Sequence, residues 1–200
     1  MEPKLMSPAP VVSLEQDQRV YLRGLSWSDF EDLLRMRGER LPRVTYLEGT
    51  LELMSPSREH ERLESLLGRL LEAYAEEREL QLDAFGSWLV KEPGAEAGVE
   101  PDECYVLGGR EVDVPDLAIE IVWTSGALDK LDVYRRLGVR EVWFWRAGRL
   151  EVFVLEREGY RESPASDLLP GLDLGLLAGF LGAEDQTAAV RVFRRRLRGE

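Results

Sequence analysis

The chain has 200 residues, is 44% hydrophobic and 32% charged, and carries a formal net charge of −12. That length supports one domain with a proper core, and the acidity argues against a protein that coats nucleic acid through broad phosphate contacts. A single cysteine, Cys104, excludes an internal disulfide framework and fits a reducing cytoplasm; with a single histidine, His60, it leaves no structural zinc site within one chain.

Residues 1–17, with Pro3, Pro8 and Pro10, read as a flexible arm, and the opening MEPKLMSPAP lacks the apolar core of a signal peptide. SWSDFEDLLRMRG predicts a short helix capped by Ser26 and stopped at Gly38. RVTYLEGTLELMS follows as two extended runs around Gly49, a hairpin pattern. The strongest helix signal spans SPSREHERLESLLGRLLEAYAEERE, where Leu63, Leu66, Leu67, Leu70, Leu71 and Tyr74 form one stripe; His60 and Glu64, four apart, share its edge.

Three strand-like runs come next: LQLDAFGSWLV, DECYVL and DLAIEIVW. SGALDKLDVYRRLG predicts a helix with Thr124 or Ser125 as its cap and Gly138 as its stop. REVWFWRAG and RLEVFVLERE give two further strands, and LLPGLDLGLLAGFLG a short closing helix. RVFRRRLRGE is a basic amphipathic end. No apolar run reaches 18 residues, so no membrane span is expected. The order implies a mixed α/β fold, one central sheet flanked by helices, over residues 18–182, with an Arg-rich C-terminal extension over 183–200. No G-x-G-x-x-G follows a strand, and no G-x-S-x-G is present. Trp143, Phe144 and Trp145 are consecutive, so one side of their strand faces another layer or, in a homodimer, a second subunit.

Within the run from Ala118 to Val122 only Glu120 is not apolar, and burying an unpaired carboxylate is costly. Asp116 shares its strand face but stands about 13 Å away along the strand, too far to share an ion, and reads as a structural acid at the strand entrance. If residues 108–114 form a loop, residues 102–107 pair antiparallel with 115–120 and set Asp102 opposite Glu120. Two adjoining carboxylates repel unless protonated or neutralised, and a divalent ion such as Mg²⁺ does the latter. Lys130, in the early turns of the next helix, has a stem long enough to reach back, where its ammonium would position a water or steady negative charge. Taken singly, Lys130 also reads as a surface helix lysine, Asp102 as a turn acid and His60 as a helix-start polar residue. Glu120 is divided between edge-strand exposure and function.

The ordered set LEGTLELMSPSREHERLESLLGRLL, VEPDECYVL and VPDLAIEIVWTSGALDKLDVYRRLGVREVWFW resembles the putative restriction endonuclease domain family, of the PD-(D/E)XK nuclease superfamily, over about Leu25 to Leu177. The resemblance implies a restriction-endonuclease-like fold and a Mg²⁺- or Mn²⁺-dependent endonuclease acting on DNA. It makes Asp102 and Glu120 metal ligands and Glu64, on the first core helix, a third. The superfamily's usual lysine position is Val122 here, and Lys130 on the following helix takes its role. Two other readings stand beside this one: a nuclease-fold binding or assembly protein without turnover, and a phosphodiesterase acting on RNA or nucleotides.

Overall fold

A computed structural model describes residues 16–38, 42–86, 88–123 and 128–200; the three prolines of the N-terminal arm and the expected caps Thr124 and Ser125 lie outside them. Strand β1 (Gln18–Arg23) precedes helix α1 (Trp27–Arg37). The Ser26 side chain accepts from Asp29 N while the Asp29 carboxylate accepts from Ser26 N at 2.8 Å, a reciprocal cap that satisfies the helix's first free donors. Strands β2 (Arg43–Leu47) and β3 (Thr50–Ser55) form the expected hairpin. Its two-residue turn, Glu48 and Gly49, has φ of 43° and 81°, the left-handed pair that matches strand twist. Helix α2 (Arg58–Glu77) starts from Ser57, whose side chain accepts from His60 N.

Beyond α2 the chain runs through β4 (Leu82–Phe85), β5 (Val90–Glu92), a 3₁₀ turn (Pro93–Ala95), β6 (Ala97–Val99), β7 (Glu103–Leu107) and β8 (Leu117–Val122). Helix α3 (Lys130–Leu137) begins at Asp129, which accepts from Leu131 N and Asp132 N, and ends at Gly138 with φ 77°. Strands β9 (Glu141–Arg146), β10 (Arg149–Glu156) and β11 (Gly159–Ser163) and helices α4 (Leu174–Phe180) and α5 (Gln186–Leu197) complete the described chain.

The strands form two sheets, not one. One has the order β1-β3-β2-β6-β5, the other β11-β10-β9-β8-β7-β4. LQLDAFGSWLV therefore splits: β4 pairs with β7, whereas β5 turns through the 3₁₀ segment to pair with β6, which pairs with β2. Three-residue strands leave too short an alternation for periodicity to separate them. In the larger sheet β8 and β9 run parallel, joined through α3, so the sheet is mixed as expected.

Alternation along β8 and β9 sorts the core. Leu117, Ile119, Ile121, Trp143 and Trp145 join the α2 stripe, all of whose six apolar residues are buried. Ala118, Val142 and Phe144 face the other way, against α3 and the smaller sheet's Val90, Ala97 and Val99. The aromatic run is thus covered within the chain on both faces and offers no subunit surface. Most of residues 183–200 is helix α5 (Gln186–Leu197). Ala189 and Phe193 of α5 are buried in the α2 core, while Arg194 and Arg198 pair with Glu77. Among the described residues no helix is long and apolar enough to cross a membrane.

Helix α1 packs tightly on the smaller sheet at Gly98 of β6, where an added Cβ would lie 3.0 Å and 3.1 Å from two Phe30 ring atoms. Phe30 is stacked on Tyr46 at 4.7 Å and has little room to yield. Gly98→Ala should destabilise the fold by about 1–3 kcal/mol through overpacking, read as a lower urea midpoint with unchanged slope; an unshifted midpoint contradicts this packing.

Candidate metal and catalytic site

Glu120 sits in the middle strand run of β8, 1% exposed. The β7–β8 register pairs Glu103 with Ile119 and Cys104 with Ala118, so one further step sets Asp102 opposite Glu120. Asp102 is itself 3% exposed, and its Oδ2 accepts from Ile121 N at 2.7 Å, which holds the carboxylate against β8 where the ladder ends.

Each acid has its own cation. The Lys130 ammonium and the Tyr134 hydroxyl donate to the two oxygens of Glu120. Lys130 and Tyr134 are four apart on α3, on one helical face. Burial alone would discharge Lys130, but Glu120, Asp102 and Glu52 outweigh it and raise its pKa. Burial, with Asp102 adding to it, raises Glu120 too, which runs against the pairing. Geometry decides for the ion pair, because a carboxylate with one donor on each oxygen is stabilised in its charged form.

Asp102 is shared between Arg43 and His60. The Arg43 guanidinium donates to Asp102 Oδ1 and, at 2.9 Å, to both oxygens of Glu64. His60 Nε2 lies 3.0 Å from Asp102 Oδ2 and 4.0 Å from Glu64 Oε2. On the other side of the ring, Asp17 Oδ2 meets His60 Nδ1 at 3.0 Å, and Asp17 Oδ1 accepts from Ser57 N at 2.8 Å. Asp17 thus locks the ring orientation from the start of α2, leaving Nε2 to face the two acids.

Burial works against a charged imidazole, yet Asp102 and Asp17 outweigh it and push His60 up to about 10. Burial would raise Asp102, but the hydrogen bond and charge of His60, with Lys130 and Arg43, hold it far below the ordinary carboxylate range. Burial pushes Glu64 up to about 8, with Arg43 only partly offsetting it and Asp102 adding to it. Arg43 itself is held charged by Asp102, Glu64 and Glu61 against burial. Arg43 and the charged His60 together offset Asp102 and an ionised Glu64, so the balance depends on His60 keeping its proton.

His60, Glu64 and Asp102 offer ligand atoms within 4.8 Å of one another. His60 Nε2 is buried, 3.0 Å from Asp102 Oδ2 and 4.0 Å from Glu64 Oε2. One imidazole nitrogen and two carboxylates gathered this closely are a donor set that suits a divalent cation once the imidazole gives up its proton. The sequence reading placed Asp102, Glu120 and Glu64 on the ion. Glu120 lies outside this group, its oxygens engaged by α3, and His60 stands in its place. Sequence reasoning did not find Arg43, 59 residues from Asp102, or Asp17, in what read as a loose arm; no local pattern joins them to the site. Tyr134 was within reach, four residues after Lys130. Asp116 accepts from Leu107 N and Arg140, each at 2.9 Å, in keeping with a structural role at the entrance to β8.

The mixed sheet thus sets Asp102 and Glu120 side by side, with Lys130 reaching in from the following crossover helix. Residues 27–191 match the family model described as "Uma2: Putative restriction endonuclease", and the chain belongs to that family. The fold is similar to the crystal structure of "a putative nuclease belonging to DUF820" from Anabaena variabilis ATCC 29413, with TM-score 0.57 and 16% identity over 78% of this chain and 99% of the other. No curated protein matches the chain.

Glu64 sets a pH dependence. Its folded pKa of about 8 lies above the ordinary 4.5, so between these values the folded protein holds a proton that the unfolded chain has released. Stability contributed by that proton falls as pH rises through the window. Glu64→Gln should flatten the metal-free stability profile between about pH 5 and 8 by at most ~1.4 kcal/mol per pH unit, measured by urea denaturation in chelator. A slope equal to wild type contradicts the assignment.

Proposed function

We propose that the protein is a divalent-metal-dependent endonuclease that hydrolyses phosphodiester bonds in DNA, with Mg²⁺ or Mn²⁺ as its ion. The observation that carries this reading is the buried meeting of His60, Asp102 and Glu64, whose ligand atoms lie within 4.8 Å of one another. His60, Glu64 and Asp102 would hold the ion, and the imidazole tilts the preference from Mg²⁺ toward Mn²⁺. When bound, a divalent cation supplies Lewis acidity toward a phosphoryl oxygen and lowers the pKa of water.

The chain's own residues do the rest. Asp17 fixes the His60 ring, and Arg43 holds Glu64 and Asp102 in one place. Glu120 and Tyr134 seat the Lys130 side chain, whose retained charge favours the extra negative charge that develops on the phosphate as water adds. Glu120 is therefore a positioning residue for Lys130. It joins the ion only by releasing a donor. Cleavage leaves a 5′-phosphate and a 3′-hydroxyl. The single buried thiol, Cys104, agrees with action in the cytoplasm.

Plasmid nicking with Mn²⁺ tests this. Asp102→Asn and Lys130→Met should each lower the rate by about 10²-fold or more, and Glu120→Gln likewise through a misplaced ammonium. Rates equal to wild type in all three would refute the assignment. Parallel digestion of single-stranded DNA and RNA separates DNA cleavage from the RNA reading, which uses the same residues.

A second reading, a nuclease fold retained for binding without turnover, is favoured by Arg43, which already bridges Glu64 and Asp102, and by Val122 at the superfamily's lysine position. Calorimetry with Mn²⁺ divides the two. A working site should give heat that Asp102→Asn abolishes, whereas a lapsed one gives none that depends on Asp102.

A further inference from the structure

Lys130 has a second neighbourhood. Besides meeting Glu120, it lines a pocket of about 280 Å³ walled, among the described residues, by Arg19, Glu52, Arg146, Phe144 and Phe153 and by aliphatic side chains. The β8–β9 register explains its position. Glu120 pairs with Phe144 and Val122 with Arg146, so the pocket begins at Glu120's neighbour and extends two residues along the strands, roughly 7 Å, on the same sheet face.

Its chemistry is divided. One part is cationic: Arg19, Lys130 and Arg146 stand against Glu52 and Asp129 in a molecule whose net charge is −12. Both acids are engaged. Glu52 accepts from Arg19 at 3.1 Å, and Asp129 accepts from Leu131 N at 3.0 Å at the start of α3. Arg146 pairs with Glu151 at 2.9 Å, but that carboxylate also takes Arg149 at 3.0 Å, and the Arg146 side chain is 47% exposed. A single acid divided between two guanidiniums leaves cationic capacity at the mouth.

The other part is flat and apolar. Phe144 and Phe153 meet edge to face at 5.7 Å, and the Arg146 guanidinium lies 5.1 Å above the Phe144 ring. An anion with a planar apolar body satisfies both parts at once, through charge at one end and stacking at the other. The volume sits at the small end of ligand pockets, room for one such unit and not for a duplex.

We propose that this pocket binds the nucleotide adjoining the scissile phosphodiester, its phosphate against Arg146 and Lys130 and its base against the half-buried Phe153, which the buried Phe144 backs. The proposal rests on the nuclease reading for the polymer to which that nucleotide belongs. The pocket's affinity for a free nucleotide does not.

The test uses deoxyadenosine 5′-monophosphate, with inorganic phosphate and deoxyadenosine as separate arms, titrated into the full chain in chelator and followed by calorimetry. The nucleotide should bind at least about tenfold more tightly than either fragment. Arg146→Ala should weaken it by about tenfold or more, and Leu131→Trp, which fills the pocket from the half-buried start of α3, should abolish it. Both variants should keep the wild-type urea midpoint. Inorganic phosphate binding as tightly as the nucleotide, or nucleotide affinity untouched by Arg146→Ala and Leu131→Trp, overturns the proposal. No metal and no cleavage enter the measurement, so inactivity toward plasmid with nucleotide binding intact would sink the nuclease reading alone. Active nicking without pocket-dependent binding would sink only this one.

Discussion

The structure depends on keeping five carboxylates and three cations in register at the place where its two sheets and two of its helices meet. Asp17, Glu52, Glu64, Asp102 and Glu120 come from five different segments, and Arg43, His60 and Lys130 from three. Two of the cations are divided, Arg43 between Glu64 and Asp102 and His60 between Asp17 and Asp102, while Lys130 pairs with Glu120. A buried charge is tolerable only when paired and hydrogen-bonded, and removing one member strands another. The cluster therefore constrains how β2, β8, α2 and α3 approach one another as strongly as the apolar contacts beside it.

The apolar core makes this possible by being divided as well. Odd-numbered positions of β8 go to the α2 stripe and even-numbered ones to α3 and the smaller sheet. Glu120 falls on the even side, where α3 brings a donor to each oxygen. On the odd side it would lie among Leu66, Leu67 and Leu70 with no partner. A single-residue slip of β8 would have that effect, so the charged cluster and the leucine stripe select the same register.

Much of this is legible in the chain itself. The α2 stripe, the Gly49 hairpin and the placement of Asp102 opposite Glu120 follow from periodicity, turn chemistry and the loop between two runs, all local signals. Lys130 is local too, ten residues from Glu120. Division of the strands into two sheets is not local: β5 and β6 are too short to carry a pattern, and β6, which pairs with β5, finds its other partner on β2, more than forty residues earlier. His60 was visible on the α2 edge beside Glu64, but its ranking depended on Asp17, whose partner is 43 residues away. Glu120 was placed on the ion because acids on adjoining strands suggest sharing. The α3 donors that claim its oxygens are matters of three-dimensional approach.

Helix α2, twenty residues and about 30 Å long, is fastened near both ends by segments close to the two termini of the described chain. Asp17 grips its first turn, while α5 lies alongside, with Gln186 bonded to Arg62 O at 2.9 Å and Arg198 to Glu77 at the last turn. Pulling on either terminus consequently loads the one rod that carries His60 and Glu64. Anything fused or anchored at residue 200 would reach the His60–Glu64 corner as a mechanical strain transmitted down α2, with Asp17 and α5 acting as levers on a common shaft.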